Sequence, residues 1–219
     1  MKQLLIKEYK LTSSTLTFLF LLFSTMTMLP GYPILVGPFF ICLGIFYTFQ
    51  FAREYNDVVF TTLLPVAKSD VVRARFAFVV SIQVIGFFLC GILTLIRMCC
   101  FSDSKPYIQN PLMNANLIYL GGVLVIFALF NLIFITGFFK TAFYYGKPLV
   151  WYCIGAFIFI GIMETLHHIP GLSIMNTCGW DNLGIQVPIL FTGIAFYVIF
   201  TLAALKKSIS LFEEIDLSF

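Results

Sequence analysis

Residues 11–52 read LTSSTLTFLFLLFSTMTMLPGYPILVGPFFICLGIFYTFQFA, and none of them is charged. A helix needs ~20 apolar residues, at about 1.5 Å of rise each, to cross the hydrocarbon of a bilayer. The run is long enough for two crossings. Leu29-Pro30-Gly31-Tyr32-Pro33 near its middle is a turn signal, since proline and glycine together break regular structure. The stretch therefore reads as two spans joined by a tight turn.

Other charge-free intervals follow: Phe76–Ile96, Pro106–Phe139, Pro148–Met163 and Asn182–Leu205. Together they predict six spans, at about 12–29, 33–52, 76–96, 114–139, 148–168 and 186–205. The fifth carries Glu164, His167 and His168 near its end. Uninterrupted apolar runs, rather than strict alternation, favour helices over a lipid-facing barrel. Composition agrees: 60% of the 219 residues are hydrophobic and 11% are charged, against about 25% charged in a soluble domain. The fold class expected is an all-α integral membrane protein, one domain over residues 1–219. Every segment outside the spans is too short to fold alone.

Basic residues orient it. With the N-terminus inside, the cytoplasmic segments hold Lys2, Lys7, Lys10, Arg53, Lys68, Arg73, Arg75, Lys140, Lys147, Lys206 and Lys207, and only Arg97 and Lys105 lie outside. That asymmetry satisfies the positive-inside rule with both termini cytoplasmic. Lysines before an apolar run also begin signal peptides, but no small-residue cleavage pattern follows Leu29 and a second apolar run comes at once, so a retained first span is expected.

On a helical projection of the first ten residues, Met1, Leu4, Leu5 and Tyr9 gather on one side. Gln3, Lys7 and Lys10 gather on the other, and Glu8 interrupts the apolar side. Two readings stand: an amphipathic helix at the inner membrane surface, or a basic tail that enforces topology. Cys42, Cys90 and Cys153 fall inside spans as packing residues. Cys99, Cys100 and Cys178 lie at the outer face, and spacing alone does not decide whether Cys178 pairs with either of the others.

Enzyme chemistry finds little support. Glu164, His167 and His168 stand at i, i+3 and i+4, on one turn of a helix, and imidazole with carboxylate suits zinc or iron. However, these are the only two histidines in the chain, and no His-Glu-x-x-His pattern is present. Ser173, the histidines and Asp181 share the outer face, yet no Gly-x-Ser-x-Gly elbow surrounds the serine. Gly146-Lys147-Pro148 lacks the upstream glycine and the hydroxyl of a phosphate-cradling loop. No catalytic site, bound cofactor or metal is expected in this chain. Gly155, Gly161 and Gly171 are candidates for close helix packing or bending.

Nearly a third of the charged residues sit in one inner segment, AREYNDVVFTTLLPVAKSDVVRARF, residues 52–76. Arg53 to Leu64 reads as a short cytoplasmic helix with acidic residues at its start. Pro65 disfavours helical geometry at Leu64. Ser69 or Asp70 then caps a new helix from about Val71 into the third span. The apolar edge of Val58, Val59, Phe60, Leu63 and Leu64 needs lipid or a protein to cover it.

Here the sequence resembles the permease subunits of type 2 ATP-binding cassette (ABC) exporters, especially small bacterial six-span ones. The family pattern Leu-Pro-Val-Ser-Arg-x-x-Ile-Val is matched by Leu64-Pro65-Val66-Ala67-Lys68-Ser69-Asp70-Val71-Val72, with Ala67 and Lys68 where serine and arginine are usual. The resemblance implies an N-terminal elbow helix and a coupling helix between spans two and three. It assigns contact with a separate ABC ATPase subunit to Glu54, Asp57, Phe60, Leu63, Pro65 and Lys68. It also implies short outer helices over 165–185, placing Glu164, His167 and His168 near an outer gate. A second permease subunit, identical or different, would complete the path. ATP and magnesium would be held by the partner ATPase, and no nucleic acid is expected to bind. The cargo implied is hydrophobic or amphipathic, such as an antimicrobial peptide or a lipid, and the location a bacterial cytoplasmic membrane. The competing readings are a self-contained secondary transporter or channel, and a non-transporting sensor or scaffold subunit.

Overall fold

The computed structural model describes residues 2–62, 65–141 and 144–215. Among these the regular structure is helical throughout. Five helices are long and apolar enough to cross a membrane: α3 (Val36–Glu54), α5 (Lys68–Cys100), the span Leu117–Lys140, α9 (Gly146–Leu166) and α10 (Leu183–Glu214). The chain is an all-α membrane protein.

The first span is the unusual one. An N-terminal helix, α1 (Lys2–Lys7), continues as a π turn over Glu8–Thr12. The chain then turns by 88° into α2 (Thr15–Leu19) and a 3₁₀ helix, Phe20–Met28. Five α-helical and nine 3₁₀ residues extend about 25 Å, because the 3₁₀ rise is ~2.0 Å per residue. The stretched winding brings a short segment close to bilayer thickness. Freed backbone groups at the bend need partners in so apolar a setting. Ser14 Oγ accepts from Leu16 N at 3.1 Å, and Thr17 Oγ1 donates to Gly44 O at 2.7 Å. Gly37 and Gly44 let the segment lie directly on α3: a Cβ at Gly44 would stand 2.5 Å from Phe20 Cβ.

The span Leu117–Lys140 is α7 (Leu117–Leu129), a π turn over Phe130–Ile135 and α8 (Thr136–Lys140). Its α7 part is apolar on every side, as a helix surrounded by other helices must be. With α3 it forms the interior, whereas α9 and α10 leave most of their surface facing outward. Edge-to-face phenylalanines fill the seam; Phe49 meets Phe134 at 5.3 Å and Phe138 at 4.9 Å between ring centroids. The tightest crossing is α7 on α10. A Cβ on Gly193 would fall 2.7 Å from Gly121 Cα and 2.8 Å from Gly121 O, so the two backbones touch through paired glycines. Gly161 and Gly171 have nothing within 4 Å of such a Cβ, and Gly155 meets only Ile133 Cδ1 at 3.3 Å. Close packing uses other glycines than the sequence suggested.

Helix boundaries differ from expectation in the inner segment. Arg53 and Glu54 belong to the end of α3 rather than to a separate helix. The break comes at Asn56, whose φ of 52° lies in the left-handed region that asparagine tolerates. A short helix α4 (Asp57–Thr62) follows. Helix α5 begins at Lys68 behind Ala67, so Ser69 and Asp70 occupy its first turn instead of capping it. There Asp70 lies 3.7 Å from Arg73 and still complements the helix N-terminus. Leu63 and Leu64 lie outside the described residues.

Replacing Gly193 by leucine must drive α10 off α7. Overpacking of about 1–3 kcal/mol should lower the thermal midpoint of the detergent-solubilised protein by several degrees. Gly161→Leu, at an open position, should leave it unchanged in the same differential scanning fluorimetry.

Candidate functional site

The charges of the inner segment converge on α5. Arg75 is 2% exposed and lies one residue before the charge-free run of that helix. Its guanidinium holds Glu8 through two contacts, Nε to Oε2 at 2.7 Å and Nη2 to Oε1 at 3.3 Å. Nη2 also reaches Asp57 Oδ2 at 3.1 Å. Lys7 Nζ stands 2.7 Å from Asp57 Oδ1 and donates to Thr61 Oγ1 at 2.5 Å. Phe49 lies 5.4 Å from the guanidinium. Two cations and two anions balance, which makes the burial tolerable: an unpaired charge there would cost several kcal/mol. Burial raises the Glu8 carboxyl above its ordinary pKa, while Arg75 and Lys7 pull it back.

The cluster binds three segments that the sequence keeps apart: the N-terminal helix through Lys7 and Glu8, α4 through Asp57 and Thr61, and α5 through Arg75. Tyr9 adds a hydroxyl contact to Ser81 and an edge-on contact with Phe78. The carboxylate that interrupts the apolar face of the first helix is thus the partner of a buried arginine. An ion pair across that distance in sequence leaves no periodic trace, although a charge on an apolar face was a legible signal.

Of the residues expected to meet a partner, Glu54, Phe60 and Pro65 are exposed. Glu54 accepts from Gln50 Nε2 at 2.9 Å. Asp57 faces inward to the cluster. Lys68 turns toward the end of α10, donating to Ile215 O at 2.7 Å with Phe212 at 5.9 Å. Leu63 lies outside the described residues. Beside α4, a cavity of about 540 Å³ opens between the 11–16 bend, Phe51, Tyr55 and Phe60. Its rim is apolar and uncovered, with Leu11 and Tyr55 each 78% exposed and Phe60 65%.

The opposite end of the bundle is stitched by amides. Arg97 donates to Thr27 O at 2.8 Å and Asn114 Oδ1 at 2.9 Å, with Tyr107 4.2 Å from its guanidinium. Asn116 caps α7 and donates to Met175 O at 3.0 Å. Glu164 accepts from Met113 N at 2.8 Å, and His167 Nε2 lies 3.1 Å from Pro111 O. The His168 ring lies against His167, tilted by 37° with 4.1 Å between centroids. Glu164 and His167 clamp the 101–116 segment, which carries the short helix α6 (Lys105–Ile108), to the end of α9. All six cysteines are free thiols.

Between the two ends lies a polar knot that charge counting missed. Gln83 and Asn131, both buried, exchange hydrogen bonds of 2.9 and 3.1 Å. Asn131 donates to Thr201 Oγ1 at 2.9 Å, and Tyr197 Oη donates to Gln83 Oε1 at 2.8 Å. Asn131 sits in the π turn, a distortion frequent at functional positions, and Thr136 Oγ1 donates to its displaced carbonyl at 3.3 Å.

A family model described as ABC-2 family transporter protein matches residues 3–213, nearly the whole chain. The chain belongs to the ABC-2 transporter family. No curated protein and no solved structure matches it significantly. Within this ABC-2 family member, two residues of the ion cluster, Asp57 and Arg75, flank the Leu64–Val72 stretch that carried the resemblance. The family assigns the chain a membrane permease role in an ABC transporter, and an ATPase partner goes with that role.

Arg75→Met leaves buried Glu8 and part-buried Asp57 facing one lysine. The expected loss is about 3–5 kcal/mol, read as a marked fall in thermal midpoint. Arg75→Met combined with Glu8→Leu removes the orphaned charge and should recover part of it. Equal midpoints for the single and double variants would mean that Glu8 and Arg75 do not interact.

Proposed function

We propose that this chain is the permease subunit of an ATP-driven exporter in a bacterial cytoplasmic membrane. Two such six-span subunits, identical or different, form the substrate path above two separately encoded ATPase subunits. The cargo we propose is hydrophobic or amphipathic, such as an antimicrobial peptide or a lipid. Both termini face the cytoplasm, as the eleven-to-two distribution of basic residues favours. Helix α4 then acts as the coupling helix and α1 as the elbow helix in the plane of the inner surface.

The observation that carries this reading is the Arg75–Asp57–Glu8 cluster beneath an exposed apolar rim. Tyr55 and Phe60 present apolar surface at the end of the bundle where the basic residues collect. Such surface favours a protein partner. Behind it, the cluster fixes α4 to the elbow and to α5. When ATP closes the ATPase pair, a push on α4 reaches two other segments at once. Differential docking in two ATPase states thereby selects two arrangements of the spans.

Glu54, Phe60, Leu63, Pro65 and Lys68 contact the ATPase in this scheme, and Asp57 serves from behind by holding α4 to the bundle. Bond chemistry is left to the partner, which binds ATP and magnesium. Glu164, His167 and His168 belong to the outer gate. Opening it must release the Met113 and Pro111 backbone groups that Glu164 and His167 now hold.

Co-expression with the cognate ATPase tests the scheme. Phe60→Ala or Pro65→Ala should weaken recovery of the complex by about tenfold, as loss of a central apolar contact does. Asp57→Asn should leave the complex intact while ATP hydrolysis ceases to respond to substrate. Undiminished complex and unchanged substrate stimulation in the Phe60 and Pro65 variants would sink the coupling assignment.

A further inference from the structure

A second cavity, of about 460 Å³, opens between α5 and α10. Phe76, Ala77 and Val80 form one wall, and Val198, Leu202 and Leu205 the other. The hydroxyls at its floor, Tyr197 and Thr201, are already engaged by the Gln83–Asn131 knot. The groove therefore offers bare hydrocarbon with a single charged residue, Arg73, at its mouth. The Arg73 side chain is 54% exposed. Among the described residues its ion-pair partner is Asp70, 3.7 Å away with its side chain 36% exposed, a pairing worth little in water. Exposed Lys206 and Lys207 follow Leu205 on α10, so the helix next to this mouth adds two further positive charges.

From Arg73 to Val80, and from Val198 to Leu205, each wall runs about 10 Å along its helix. That depth fits inside one leaflet, which is ~15 Å of a ~30 Å core. Basic pockets between spans at a membrane surface select anionic headgroups. We propose that the α5–α10 groove is a binding site for an anionic phospholipid of the leaflet next to the basic end. Its phosphate rests on Arg73, and one acyl chain lies between Ala77 and Leu202. The assignment uses only the membrane fold and the groove, and it is independent of the coupling scheme.

The test is native mass spectrometry of the full-length chain released from nanodiscs of equal phosphatidylglycerol and phosphatidylcholine. The wild type should retain phosphatidylglycerol preferentially. Arg73→Gln should reduce that preference about fivefold, the effect of one basic contact of ~1 kcal/mol. Lys140→Gln, an exposed charge at the same end, should not alter it. Ala77→Trp fills the groove and should remove the retained lipid while Arg73 stays in place. Equal retention of the two lipids by the wild type would overturn the proposal. So would an equal loss in Lys140→Gln, or undiminished retention in Ala77→Trp. Chain-to-chain cross-linking through Leu202→Cys would overturn it too, by showing that a second copy fills the groove.

Discussion

A guanidinium that is 2% exposed must be neutralised by nearby carboxylates, and in this protein those come from two other segments, buried Glu8 and part-buried Asp57. Arg75 is costly to bury and more costly to strand. Its presence at the start of a span therefore fixes where Glu8 and Asp57 must sit. The first helix is held against α5 instead of straying along the surface, and α4 is held against both. The 88° bend before the first span follows from the same constraint. Were the N-terminal helix to continue straight into the bilayer, Glu8 could not reach Arg75.

Elsewhere the bundle answers the demand that every backbone group be satisfied without water. Serine and threonine hydroxyls close the bend at residues 13–17. Asn116 and Gln186 close the start of α7, where Leu117 N donates to Gln186 Oε1 at 3.1 Å, and Thr136 closes the π turn. Glycines replace side chains where backbones must touch, at Gly121 against Gly193 and at Gly44 against Phe20. Stretching the first span into a 3₁₀ helix is a further economy of length. The result is a bundle whose two ends are tied by different means, ions at one and amides at the other.

Much of this was legible in the sequence. Charge-free intervals gave the five long spans, and the first as part of a bent helix pair, because hydrocarbon excludes charge regardless of how helices pack. The resemblance around Leu64–Val72 pointed to the family whose model matches residues 3–213. The helix limits there were less legible: Asn56 breaks the chain where acidic residues suggested a helix start, and α5 begins ahead of its expected cap. Pairings between distant residues were not legible. Glu8 looked like a flaw in an amphipathic face, and nothing in spacing ties it to Arg75. Gln83 and Asn131 escaped notice because uncharged amides scarcely disturb a hydropathy profile, yet they lie buried between three spans. The packing glycines were similarly hidden, since glycine is common in spans and only the crossing point distinguishes Gly193 from Gly161.

The central claim is that the N-terminal helix and the basic end of α5 move as one body because Arg75 and Glu8 join them. Spin labels at Lys10→Cys and Ser69→Cys, in a background free of other cysteines, report the distance between those two segments by pulsed electron resonance. With the ATPase bound, the distance distribution should keep the same peak in the nucleotide-free and ATP-bound states, and should broaden when Arg75→Met is added. A peak that shifts between the two nucleotide states in the otherwise intact protein would contradict the account.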